Sequence, residues 1–80
     1  MAYSKETTAA KLRGLRAERR MSQDDVARRI GASVGTIRNY ENAVTDLSFE
    51  NAWSLADLYG VSLCDLCGRD ETQYAKGVSA

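Results

Sequence analysis

Apolar residues in this chain fall in short groups three and four positions apart, and hardly ever alternate. Ala9, Leu12 and Leu15 recur at helical spacing. They predict a first helix over residues 8–20, with Thr7 or Thr8 near its cap. Gly14 weakens that helix by about 1 kcal/mol relative to alanine. In "MSQDDVARRIG", Val26, Ala27 and Ile30 form one apolar face. Ser22 reads as an N-cap, and Asp25 three residues on makes an acidic variant of the capping box. Asp24 and Asp25 lie in the first turn, where the helix dipole favours anions. Arg28 and Arg29 close this second helix and Gly31 stops it. Ser33 then caps a third helix over residues 34–42, whose apolar contact is Ile37.

The fourth group is the broadest. Phe49, Ala52, Trp53, Ala56 and Tyr59 make an amphipathic stripe that Leu55 and Leu58 widen. Ser48 caps this helix and Gly60 ends it. Trp53 and Tyr59 are thereby assigned to the core, as is Tyr40, rather than to a platform for stacking bases. Ser62 caps a short fifth helix, "LCDLC". No segment alternates convincingly, so the expected fold class is all-α with five helices. Residues 8–67 form its one domain, after a flexible N-terminus (1–7) and before a polar C-terminal tail (68–80). A core of this size yields a net stability of roughly 3–5 kcal/mol.

The connection between the second and third helices is only Gly31, Ala32 and Ser33. Two short helices joined by a glycine-containing turn of that length are the mark of a helix-turn-helix unit. Charge sharpens the picture. The chain has zero formal net charge, 11 basic against 11 acidic residues. Residues 1–40 nevertheless hold nine Lys/Arg and four acids, net +5, and residues 41–80 hold two against seven, net −5. One half can face a polyanion while the other stays away from it.

Other chemistry is poorly supplied. Histidine is absent, which removes the usual general base and the commonest metal ligand. Cys64 and Cys67 form C-x-x-C, but a zinc site needs about four ligands. Core packing or a dimer surface is expected of them, with a zinc bridging two chains as the other possibility. There is no nucleophile–base pair, phosphate loop or paired carboxylate, so no enzyme, metal or cofactor is expected. No apolar run approaches the roughly 18 residues of a membrane span, and the first residues lack a secretory h-region. A cytoplasmic location without a membrane partner is expected, and so short a chain leaves no room for a small-molecule domain.

"LRAERRMSQDDVARRIGASVGTIRNYEN" followed by "SFENAWSLADLYGVSLCDL" resembles the lambda-repressor-like, Cro/C1-type (XRE) helix-turn-helix domain. The likeness covers residues 11–67. It implies a five-helix, sequence-specific DNA-binding domain, usually a homodimer on a palindromic operator, acting in transcriptional regulation and typically as a repressor. Helix 34–42 would lie in the major groove of double-stranded DNA while the preceding helix crosses the backbone. By resemblance, Gln23 bonds a phosphate at the second helix's N-terminus, and Arg16 and Glu41 form a structural ion pair. Ser33 caps and can also reach a phosphate. Val34 can meet a thymine methyl, Gly35 permits close backbone approach, and Thr36 can bond phosphate or base. Arg38 and Asn39 are the candidates for reading guanine and adenine edges, with a phosphate contact competing for Arg38. Asn42 and Thr45 would meet backbone. Arg28 and Arg29 are open between solvent and phosphate.

Departures from the family pattern lie in "NAVTDLS". Ala43 stands where glycine is frequent, and Asp46 where cations bind phosphate. The expected dimer surface is the fifth helix and tail, through Leu63, Leu66 and Val78. The competing function is a protein-interaction module on the same fold, such as an antitoxin or a partner-dependent regulator subunit.

Overall fold

Every helix among the described residues starts at a serine. The computed structural model describes residues 4–67, and in them the order is α1 (Lys5–Glu18), α2 (Gln23–Ile30), α3 (Val34–Glu41), α4 (Phe49–Tyr59) and α5 (Leu63–Leu66). Ser4, Ser22, Ser33, Ser48 and Ser62 all hold extended backbone, and each hydroxyl accepts from the amide three residues on. Each satisfies one of the amides a helix leaves unpaired at its start. At α2 the box is reciprocal: Ser22 Oγ accepts from the Asp25 amide, and Asp25 accepts from the Ser22 amide, both at 3.0 Å. The bonds from Ser22 hold the Asp25 carboxyl below its ordinary pKa, with Arg28 and Arg29 adding to the effect. Two helices end on glycine in the left-handed region, Gly31 at φ +72° and Gly60 at φ +68°. Glycine adopts that conformation without steric cost.

α1 begins three residues earlier than the apolar spacing predicts. Ser4 is the cap, and the flexible segment expected over 1–7 is replaced from Lys5 onward by helix. Thr8, offered as a cap, is instead 1% exposed, and its hydroxyl finds no partner among the described residues. It shares the inward face with Leu12 and Leu15. α3 likewise ends one residue early, with Asn42 as its C-cap.

α1 packs on α3 and α5, α2 on α3 and α4, and α4 on α5. The core between them is built from Leu12, Val26, Ile37, Tyr40, Leu55, Tyr59 and Leu66 with smaller residues filling in. Burial pushes the Tyr59 phenol up to about 12. Arg19 lies 5.3 Å from the centre of the Tyr59 ring and also donates to the Tyr59 carbonyl.

Two assignments made from the pattern are corrected here. Trp53 is 59% exposed and Phe49 is 77% exposed. α4 turns the centre of its buried face towards Leu55 and Tyr59, because Leu55 lies on the far side of the stripe from Trp53 and wins the core. Leu66, expected on a dimer surface, is fully buried. The tail, with Val78, lies outside the described residues. Backbone strain appears at Arg20 (φ +53°) and Ala43 (φ +59°), the positive-φ residues other than glycine among the described residues.

Leu66→Ala is expected to lower stability by about 2–5 kcal/mol, and Leu63→Ala, half-buried, by clearly less; denaturant melts of the two variants check this order. Ala43→Gly should stabilise by about 1 kcal/mol, since glycine relieves the left-handed penalty, read as a higher melting temperature.

Candidate nucleic-acid interface

α3 is eight residues long, too short to persist alone in water. What holds it is a buried carboxylate. Glu41 is 2% exposed at the end of α3, and side chains from two other helices converge on it. From α1, Arg16 Nε donates to Glu41 Oε2 at 2.8 Å and Arg16 Nη2 to Oε1 at 3.0 Å. From the start of α2, Gln23 Nε2 donates to Oε1 at 3.1 Å. Arg13 of α1 donates to the Glu41 carbonyl, taking up one of the carbonyls that a helix end leaves free. The Glu41 bonds raise the Arg16 pKa still further above its ordinary value. The third Arg16 nitrogen donates to the Met21 carbonyl at 3.0 Å in the loop between α1 and α2. Such a fork matches a carboxylate in two places at once, which fixes angle as well as distance.

The network places Gln23. One of its two amide hydrogens is held by Glu41, and the other has no partner among the described residues; the side chain sits at the N-terminal end of α2.

The turn into α3 is held by three hydrogen bonds. The Ala32 amide donates to the Ala27 carbonyl at 2.9 Å, and Ser33 Oγ accepts from the Thr36 amide at 3.1 Å. Ser33 and Thr36 hydroxyls also lie 2.8 Å apart in a hydrogen bond. Both hydroxyls are therefore oriented by each other before any ligand arrives. Val34, Gly35 and Thr36 are half-buried. A β-carbon at Gly35 would meet only Ser33 Oγ at 3.9 Å, an ordinary contact, and its φ is not positive. The fold itself thus makes no demand for glycine there.

Arg38 and Asn39 are exposed, and neither side chain has a hydrogen bond or ion pair among the described residues. They follow Ile37, which points into the core at 2% exposure, so they stand on the outward face of α3. Asn42 and Thr45 are also exposed, with Thr45 in the loop before α4. Tyr40 completes the inner face and accepts a hydrogen bond at its hydroxyl from Asn51 Nδ2 of α4 at 2.9 Å.

Arg28 is exposed and paired with Asp25 at 2.9 Å; Arg29 is exposed. Cys64 and Cys67 are free and half-buried, and burial pushes the Cys67 thiol up, with Cys64 adding to it. Among the described residues no group of three or more His, Cys, Asp or Glu could hold a metal ion, and no helix is long and apolar enough to cross a membrane.

A helix-turn-helix family profile matches residues 12–66. The cryptic phage CTXphi transcriptional repressor RstR of Vibrio cholerae is 36% identical over 64 residues, 80% of this chain and 58% of that protein. The chain thus spans under two thirds of that relative's length. Among solved structures, the clp gene regulator ClgR from Corynebacterium glutamicum superposes with a TM-score of 0.74 at 23% identity, over 94% of this chain and 80% of that one. A hypothetical transcription factor from Neisseria, NHTF, gives 0.76 at 18% identity, over 94% and 92%. At these identities the two structures speak to the fold alone.

The buried network predicts an asymmetry. Arg16→Met leaves the Glu41 carboxylate buried with little to neutralise it, at a cost of about 3–5 kcal/mol, comparable to the whole stability of so small a domain. Glu41→Gln leaves Arg16, whose side chain is 24% exposed, free to draw in water, at about 1–3 kcal/mol. The first variant should be largely unfolded at 25 °C by circular dichroism and the second should still melt cooperatively; equal losses would contradict the assignment. A three-residue turn, Gly31–Ser33, joins α2 to α3, the family profile runs from the middle of α1 through α5, and the chain belongs to the Cro/C1-type helix-turn-helix family.

Proposed function

We propose that this chain is a DNA-binding transcriptional regulator, of the repressor kind, which lays α3 in the major groove of double-stranded DNA. The observation that carries this reading is the exposure of Arg38 and Asn39 on the outward face of α3, without partners of their own among the described residues. The printed function of the RstR relative points the same way. Arg38 is suited to guanine O6 and N7 and Asn39 to adenine N6 and N7. Val34 meets a thymine methyl and Gly35 lets the duplex approach the backbone, a use that would account for a glycine the fold does not require. Gln23, with one amide hydrogen free, and the Ser33–Thr36 hydroxyl pair bond phosphates on either side. Asn42 and Thr45 extend the backbone contacts beyond the end of α3.

Two copies on a two-fold symmetric site complete the reading, because one α3 presents only a few polar side chains to the groove. The place of action is the cytoplasm, where the chain meets DNA, and no small-molecule ligand or cofactor enters the mechanism. Asp46, exposed in the loop after α3, repels phosphate and keeps the affinity of a single copy modest.

Binding to a pool of random duplexes tests the proposal. Log K should fall with log salt at a slope of about −0.9 per phosphate neutralised. Arg38→Ala should cost about 1–3 kcal/mol at one operator position and relax preference there, whereas Gln23→Ala should weaken all sequences alike. Gly35→Ala should stabilise the fold by up to about 1 kcal/mol while lowering affinity. A chain that shifts no duplex at low salt would favour a protein-interaction module on the same fold.

A further inference from the structure

α4 carries more apolar circumference than its own domain covers. At about 100° per residue, its apolar positions run from Leu58 at one border to Trp53 at the other, an arc of about 220°. The core takes up the part from Leu58 to Ala56 and stops there. Phe49 and Trp53 complete the arc, four residues apart and therefore adjacent on the helix surface, at 77% and 59% exposure. They are two of the three large apolar side chains most exposed among the described residues; the third is Val44, in the loop leading to α4.

We infer that Phe49 and Trp53 form the centre of a two-fold contact between two copies of this chain. The choice of a second copy as occupant rests on the DNA reading proposed above and on the size of the patch. Aromatic side chains carry about 150–250 Å² each, so at these exposures the pair leaves on the order of 300 Å² of aromatic surface in water. Non-obligate interfaces are roughly 57% apolar. A patch of this size therefore belongs to a contact of about 500 Å² per partner, or about 1,000 Å² in total, where specific but reversible association begins. Nucleic acid is a poor occupant. Exposed Glu50 and Asp57 border Trp53 on the side away from the core and repel a polyanion. The contact also takes the role that Leu66, fully buried, has no surface to fill.

Trp53 is the chain's one tryptophan, so its emission reports this patch alone. The test is sedimentation of the full chain across a dilution series, with Trp53 emission read on the same samples. The mass should rise to two chains with concentration, and the emission should shift to shorter wavelength with the same midpoint. Phe49→Glu, at an exposed position, should raise the dissociation constant at least about tenfold while leaving helicity unchanged. A chain that stays monomeric throughout overturns the inference. So does a dimer whose midpoint ignores Phe49→Glu and whose Trp53 emission does not move. The DNA reading fails separately: a monomer that still shifts duplex refutes the contact and spares that reading, and a dimer that ignores duplex at low salt does the reverse.

Discussion

A carboxylate that the fold has removed from water governs the geometry of this domain. Glu41 is 2% exposed, and a charge in that position is tolerated only where donors surround it. Here they come from two other helices, Arg16 on α1 and Gln23 on α2, while Arg13 takes the backbone carbonyl of the same residue. Burying an apolar residue there could give as much stability, but it would not specify angle. A guanidinium fork and an amide satisfy one carboxylate in a narrow range of orientations. The orientation of α3 against α1 and α2 is thus set by a polar contact, and the outward face of α3 is set with it.

That constraint changes how the charge distribution is understood. Nine cations in residues 1–40 suggest a broad basic surface. Five of them are occupied within the protein: Lys11 faces Asp65 at 3.2 Å, Arg13 and Arg16 serve Glu41, Arg19 lies on Tyr59, and Arg28 pairs with Asp25. The exposed pairs Lys11–Asp65 and Arg28–Asp25 add little stability, yet they reduce the free positive field. Much of the charge asymmetry visible in the sequence is therefore structural, and the face offered by α3 relies on one cation, Arg38. Recognition by such a face depends on shape and directed hydrogen bonds more than on bulk attraction.

The helices were legible wherever a local device marked them. The Ser22 box, the Ser33, Ser48 and Ser62 caps, and the glycines at 31 and 60 are short-range features, and the structure puts each at a helix boundary. The start of α1 was missed because Lys5, Glu6 and Thr7 carry no apolar period; only the hydroxyl of Ser4 marks it. α4 was misread for a different reason. Seven apolar positions cover more of its circumference than one core can, and spacing alone does not say which part faces inward. Leu55 and Tyr59 decide it through contacts with residues distant in sequence. At the site, Arg38 and Asn39 enter through the family resemblance and stand next to the inward-facing Ile37, whereas the bond between Gln23 and Glu41 has no local signature. It spans 18 positions in sequence and depends on how α2 meets α3.

Gly35 and Ala43 show where local preference and function part. Glycine at 35 is not needed for space or for backbone conformation, and inside a helix it costs about 1 kcal/mol relative to alanine. Alanine at 43 holds φ +59°, where glycine would be easier by a similar amount. Each residue would suit the other's position better if stability were the only requirement. The two sites bracket α3, one at its entry and one just past its end. A domain with so small a margin tolerates both because the Glu41 network and the Ser33 cap already fix α3. The helix is therefore free to carry a residue that adds nothing to its own persistence.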